Sequence, residues 1–171
     1  MVIKGNDFRL RPWRRGDEVS LVENADNWNV WINLTDAFPR PYTEGHARRW
    51  IGLCQEDPRR ATQFAIESDG IAVGGIGFEM GAGIHRKSAR IGYWLGEAYW
   101  GRGIATEAVR LISAHAFDRF DLVRLQAEVL DWNLASVRVL EKAGYVFEAR
   151  LRKSCVKNGD VVDELIYALL R

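Results

Sequence analysis

Ile91-Gly92-Tyr93-Trp94-Leu95-Gly96-Glu97-Ala98-Tyr99-Trp100-Gly101-Arg102-Gly103-Ile104-Ala105-Thr106-Glu107-Ala108 reads as a strand, a short turn and the start of a long helix. The turn at residues 100–105 holds two glycines and one arginine, and no acid. Glycine lets the backbone bend and lets a ligand approach the main chain closely. The first turn of a helix carries N–H groups with no internal partner, together with the positive end of the helix dipole. Residues 101–106 are therefore a candidate site for an anion, and a diphosphate suits it well.

The helix after this turn is expected over residues 103–119. Ala105, Val109, Ile112, Ala116 and Phe120 share one face, with Ile104, Ala108 and Phe117 beside them, a 3.6-residue period. Residues 122–130 read as a central strand whose apolar run is interrupted by Glu128. Asp131-Trp132-Asn133 turns into a helix over 134–143, stopped by Gly144. A strand over 145–156, an Asn158-Gly159 hairpin turn and a strand over 161–170 complete this half.

On the N-terminal side, residues 62–67 and 71–79 form a hairpin about Ser68-Asp69-Gly70. A glycine-rich connection passes the lone His85, read as structural or solvated against the alternative of a substrate-side role, to the strand ending at Leu95. Phe8-Arg9-Leu10-Arg11-Pro12 alternates and stops at proline, as a strand does. Arg9, Arg11, Arg14 and Arg15 are read as solvated charges. A short helix is expected over 17–23. Thr43 is a candidate N-cap for a helix that ends before Pro58. Between them, residues 24–42 hold Trp28, Trp31, Asp36, Phe38 and Tyr42 among prolines and asparagines. Such a segment suits a lid or substrate wall, against the alternative of ordinary helix packing.

With 171 residues and 47% apolar content, a single domain over residues 1–171 is expected. Lys and Arg number 24 against 23 Asp and Glu, a net charge of +1, which gives no footing for nucleic-acid binding. No apolar run has the length of a membrane span or signal peptide. Cys54 and Cys155 form no ligand cluster, so no metal is expected and the setting is read as cytoplasmic. The order β-α-α-α-β-β-β-α-β-α-β-β gives a mixed sheet with helices on both faces. A dinucleotide-binding fold fails, since the turn lacks the third glycine of G-x-G-x-x-G and follows a meander. No P-loop motif is present.

The block Tyr93-Trp94-Leu95 followed by Trp100-Gly101-Arg102-Gly103-Ile104-Ala105-Thr106-Glu107-Ala108 resembles the acetyl-CoA diphosphate loop of the GNAT superfamily of N-acetyltransferases. Residues 125–145, with Asp131-Trp132-Asn133-Leu134-Ala135-Ser136, resemble that family's other cofactor-flanking block. The wording of both blocks and the start of the chain are similar to the RimJ/RimL-type branch, which includes ribosomal-protein N-terminal acetyltransferases. The resemblance implies an α/β (α+β mixed) fold: a central, mostly antiparallel sheet of about seven strands, with a splayed central pair and helices on both faces.

It also implies roles. Backbone N–H groups of Arg102, Gly103, Ala105 and Thr106, with Ile104 between them, would hold the diphosphate of acetyl-CoA. Trp100 stands where the family has Gln or Arg, leaving Arg102 as the charged contact. Trp94 and Leu95 would line the pantetheine arm, with the Leu95 N–H polarising the thioester carbonyl. Asn133 would bond to pantetheine, and Ser136 would lie near the thiol; locally, Asn is also a good N-cap. The tyrosine that many members place seven residues after that asparagine is Leu140 here, so Ser136 or a water it holds takes its place. Glu128, five residues before Asn133, is the candidate base, since burial tunes a carboxylate toward that work; pairing with a strand arginine such as Arg124 is its structural alternative. Glu79 is the second candidate. Trp28, Trp31, Asp36 and Phe38 would wall the amine site.

Two functional readings follow. One is an acetyl-CoA-dependent N-acetyltransferase acting on a primary amine. The other is a non-catalytic acyl-CoA-binding sensor. Neither involves nucleic acid or a membrane, and a homodimer through the final hairpin is left open.

Overall fold

The computed structural model describes residues 1–56 and 62–171. One sheet of eight strands runs β1 (Ile3–Lys4), β2 (Arg9–Arg11), β3 (Gln63–Ser68), β4 (Ile71–Met80), β5 (Ser88–Leu95), β6 (Arg124–Leu130), then β8 (Asp160–Leu170) and β7 (Val146–Lys157) at the edge. All neighbours are antiparallel except β5 and β6. The sheet thus has one strand more than expected. The extra one, Ile3–Lys4, pairs through two residues only and is too short to carry a period.

Helices cover both faces. On one, α4 (Ile104–Arg119) and α5 (Leu134–Lys142) pack on the sheet. Ile104, Ala108, Val109, Ile112 and Ala116 are buried there, at the three- and four-residue steps that bring side chains onto one helix face. On the other face, α1 (Glu18–Ala25) and α3 (Glu44–Glu56) bury Leu21, Ala25, Ala47 and Ile51 against Ala65 and Ala72. The Thr43 hydroxyl accepts from the His46 N–H at 3.4 Å, in the place expected of an N-cap. The expected stop before Pro58 lies outside the described residues. Between α1 and α3 sits the single turn α2 (Trp28–Trp31), capped by Asn27, whose Oδ1 accepts from Asn29 N and Val30 N. Both two-residue hairpin turns fall where expected, with Asp69, Gly70, Asn158 and Gly159 at positive φ.

In the basic cluster at the start, Arg9, Arg14 and Arg15 are exposed as expected, but Arg11 is not. Arg11 is buried, with Asp17 oxygens at 2.7 Å from both terminal nitrogens, and its Nε donates to Glu67, itself 3% exposed. Arg9 and Arg14 reach the same Glu67 from the surface. The register sets this up: Arg9 lies opposite Glu67, and Arg11 two residues further on the same face. Burial alone pushes the Glu67 carboxyl up, but hydrogen bonds from Arg11 and Arg9 hold it below the usual carboxylate range.

β4 lies very close to β5. A methyl group at Gly74 would overlap the Trp94 carbonyl oxygen and press on Leu95 Cα at 3.0 Å. Only glycine permits this approach.

Candidate active site

β5 and β6 pair only at Ser88, Ala89 and Arg90, opposite Arg124, Leu125 and Gln126. Beyond Arg90 no register is formed among the described residues, and the strands part. In β5, the Ser88 carbonyl accepts from Gly81 on the β4 side and the Lys87 carbonyl accepts from Val123 on the β6 side. Backbone groups alternate sides along a strand, and β5 runs without a bulge against β4. The N–H groups of Tyr93 and Leu95 therefore face the gap. The Leu95 carbonyl is already taken: Trp100 Nε1 donates to it at 2.7 Å. This gives Trp100 a structural task at the end of β5.

Side chains alternate too. Ala89, Ile91 and Leu95 enter the core under α4, and Tyr93 packs against that core. Its hydroxyl stands 2.6 Å from Ser136 Oγ on α5, across the gap. Trp94 points to the opposite face, beside Phe38 at 5.5 Å between ring centroids.

At the end of the gap, Gly101 has φ +76° and Gly103 φ +79°, and a Cβ at either would meet nothing within 4 Å. The left-handed conformation, not crowding, calls for glycine here. Gly103 is the N-cap of α4 with no side-chain cap, so the first-turn N–H groups stay available for an anion. Arg102 Nη2 donates to the Ala98 carbonyl at 2.9 Å, and the guanidinium lies 5.0 Å from the Tyr99 ring centre.

A strap crosses the ends of the parted strands. Asn27 and Asn29 donate to Glu97, just after β5, at 2.8 and 2.9 Å. Asn33 accepts from Trp132, just after β6, at 3.1 Å. A cleft of about 580 Å³ opens beside it, lined in part by Trp28, Ile32, Asn33, Trp132, Asn133 and Asp160.

The sequence profile of the acetyltransferase (GNAT) domain matches residues 7–146. The chain belongs to the GNAT acetyltransferase family. It is an N-acetyltransferase domain of that family, and relatives bear the same name. YoaA of Bacillus subtilis, an uncharacterised N-acetyltransferase, is 30% identical over 158 residues, which are 91% of this chain and 82% of YoaA. The probable N-acetyltransferase YjcK of B. subtilis is 46% identical over 84 residues. That match covers 49% of this chain and about half of YjcK, 46%. Among solved structures, Mycobacterium smegmatis RimJ in complex with CoA-disulfide superposes with a TM-score of 0.83 at 27% identity, over 95% of this chain and 81% of that one.

Against this GNAT frame, the expected site residues fall into two groups. Leu95, residues 102–106, Asn133 and Ser136 gather around the gap and its end, while the Trp94 ring turns to the opposite face, beside Phe38. Asn133 also caps α5, its Oδ1 accepting from Ser136 N at 3.1 Å. Leu140 is fully buried, so α5 offers no polar group at that position. Glu128 does not fit the expectation of a buried carboxylate. Its side chain is 30% exposed, 3.5 Å from Arg90 and 3.2 Å from the Gln126 amide. Arg124, expected beside it, pairs with Glu148 instead. Glu79, exposed, lies opposite Arg90 in the β4–β5 register.

The aromatic segment is held by the protein's own cations. Lys157, buried at the tip of β7, lies 3.6 Å from the Trp31 ring centre and 3.0 Å from Asp36. Arg40 stacks over Trp28 at 4.6 Å. Trp31 Nε1 donates to the Phe38 carbonyl at 3.1 Å. Asp36 is thus paired, and of Trp28, Trp31 and Phe38 it is Trp28, 42% exposed, that reaches the cleft. Sequence reasoning passed over Tyr93, Glu97, Trp132 and Lys157. Only Tyr93 gave a signal, since strand alternation sets it opposite in sense to Trp94.

Proposed function

We propose that this domain moves the acetyl group of acetyl-CoA directly onto a primary amine. The observation that carries this reading is the unpaired stretch of β5: the Leu95 N–H faces a gap that ends at the uncapped N-terminus of α4. That arrangement suits an extended acyl thioester with a diphosphate at its far end. The first-turn N–H groups of α4 would take the diphosphate, and the strand edge would take the pantetheine amides. The Leu95 N–H would accept the charge that builds on the thioester oxygen in the transition state.

The amine attacks only as the neutral base, and α-amino groups titrate near ~8 and lysines near ~10.4. Glu128 is open to solvent on the face of β6 that carries Gln126 and Arg124. Through a water it would take the proton that the amine loses. Ser136, at the gap, would stand by the leaving thiolate. The likeness to RimJ supports an N-terminal amine of a protein or peptide as acceptor, with a small amine as the competing substrate class. The reading places the domain in the cytoplasm, with acetyl-CoA and the amine as its partners.

Incubation with acetyl-CoA and a panel of N-terminal peptides, polyamines, amino acids and aminoglycosides is expected to release CoA thiol with at least one amine. Tight acetyl-CoA binding with no thiol release from any of them would favour the sensor reading instead. With the best amine, Glu128→Gln is expected to slow kcat/KM by about 10²-fold near neutral pH. The loss shrinks as pH rises and the amine sheds its own proton. A pH profile indistinguishable from that of the parent protein removes Glu128 as the base.

A further inference from the structure

Leu140 closes off the helix position from which many members of the family supply a phenol, but a phenol is present in the gap from another direction. The Tyr93 hydroxyl comes from β5 and lies 2.6 Å from Ser136 Oγ, with the Ser136 carbonyl oxygen further off at 3.3 Å. We propose that Tyr93 is a positioning residue for acyl transfer: it donates to Ser136 Oγ and so turns the Ser136 O–H toward the leaving sulfur. The proposal rests on the acetyltransferase reading.

Two hydroxyls at this spacing share one hydrogen bond, with one donor and one acceptor. A phenol is the stronger donor and an aliphatic hydroxyl the better acceptor. The reverse arrangement would leave the Tyr93 proton only the Ser136 carbonyl, beyond the ordinary reach of about 3.0 Å for O–H to O. Burial raises the Tyr93 pKa far above its ordinary value, and the bond to Ser136 only partly offsets it. The phenol therefore stays protonated throughout the working pH range and serves as a fixed donor. Tyr93 is also well held: its ring packs against the core below α4.

In the reaction the C–N bond forms and the C–S bond breaks, and the sulfur leaves with the electron pair of the C–S bond. The thiolate accepts the Ser136 hydrogen bond, which Tyr93 strengthens by polarisation along the chain. Its proton then comes from water. The surplus proton of the amine leaves through Glu128 to solvent. Ser136 and Tyr93 end the step as they began it.

Tyr93→Phe keeps the ring and removes only the hydroxyl. It is expected to lower kcat about 10-fold, the upper end of what one hydrogen bond between neutral groups contributes, with KM for acetyl-CoA unchanged. Because Tyr93 acts through Ser136, the double variant Tyr93→Phe/Ser136→Ala should be no slower than Ser136→Ala alone. Effects that multiply would overturn the proposal. A second readout needs no amine: the thiol of bound CoA, followed by thiolate ultraviolet absorbance against pH. In the parent protein it is expected to titrate below the ordinary ~8.5 of a thiol, and in Tyr93→Phe about one unit closer to it. Identical titrations in the two proteins sink the idea. A shifted thiol with no turnover on any amine would support the donor chain while counting against the acetyltransferase reading. Failure of the parent protein to bind CoA would end both.

Discussion

Gly103→Pro is expected to weaken acetyl-CoA binding at least about 100-fold by calorimetry, with the helical circular dichroism signal retained. Gly103 sits at φ +79° with open space where a side chain would go. Proline fixes φ near about −65°, so the turn must rebuild itself and the first N–H groups of α4 lose their aim. Two hydrogen bonds to an anion, at roughly 1.5 kcal/mol or more each, account for such a loss. The helix itself should survive, because Ile104, Ala108, Val109, Ile112 and Ala116 anchor it in the core. Unchanged affinity for acetyl-CoA in a folded variant would show that the diphosphate is not held there.

Glu67→Ala is expected to cost stability of about 2–3 kcal/mol in denaturant titrations at pH 7. The loss comes largely from the Arg11 Nε–H, left buried without its acceptor, while Asp17 still neutralises the guanidinium. The pH dependence follows in sign. The Glu67 pKa is lower in the fold than in the unfolded chain, despite the opposing effect of burial. Its contribution is therefore complete above the unfolded value and is lost as pH falls through the folded one. The gap between parent and variant should narrow steadily in acid. A gap that stays constant down to pH ~3, well below the ordinary range for Glu, would mean that Glu67 acts through shape alone.

What could be read in the sequence follows the range of the forces involved. Asp69-Gly70 and Asn158-Gly159 form turns by local backbone preference, and the α4 core face repeats every three to four residues, so both were legible. Arg11 was misread because its partner Glu67 lies 56 residues away and only strand register brings them together. Lys157 and Asp36, separated by 121 residues, gave no signal at all. Glu128 was a misreading of a visible pattern. Arg124-Leu125-Gln126-Ala127-Glu128 alternates polar and apolar, which marks a strand with one open face and not a carboxylate sunk in an apolar run. At the gap, the family resemblance pointed to Ser136 and Leu95 but not to Tyr93, because a hydroxyl that crosses from a strand to a helix depends on how far the strands part.

Gly74 carries a consequence for how this domain can diverge. It has no side chain to offer a ligand, yet any side chain there would collide with the backbone of Trp94 and Leu95. The reach and direction of the Leu95 N–H are thus dictated by the contour of the strand behind it. On the proposed function, loops and strap residues can drift to suit new acceptors while the proposed reaction centre keeps its geometry. A change at Gly74, one strand removed from the gap, would move that centre without altering any residue that lines it. Specificity and chemistry are in this sense separately mutable, and the boundary between them runs along β4.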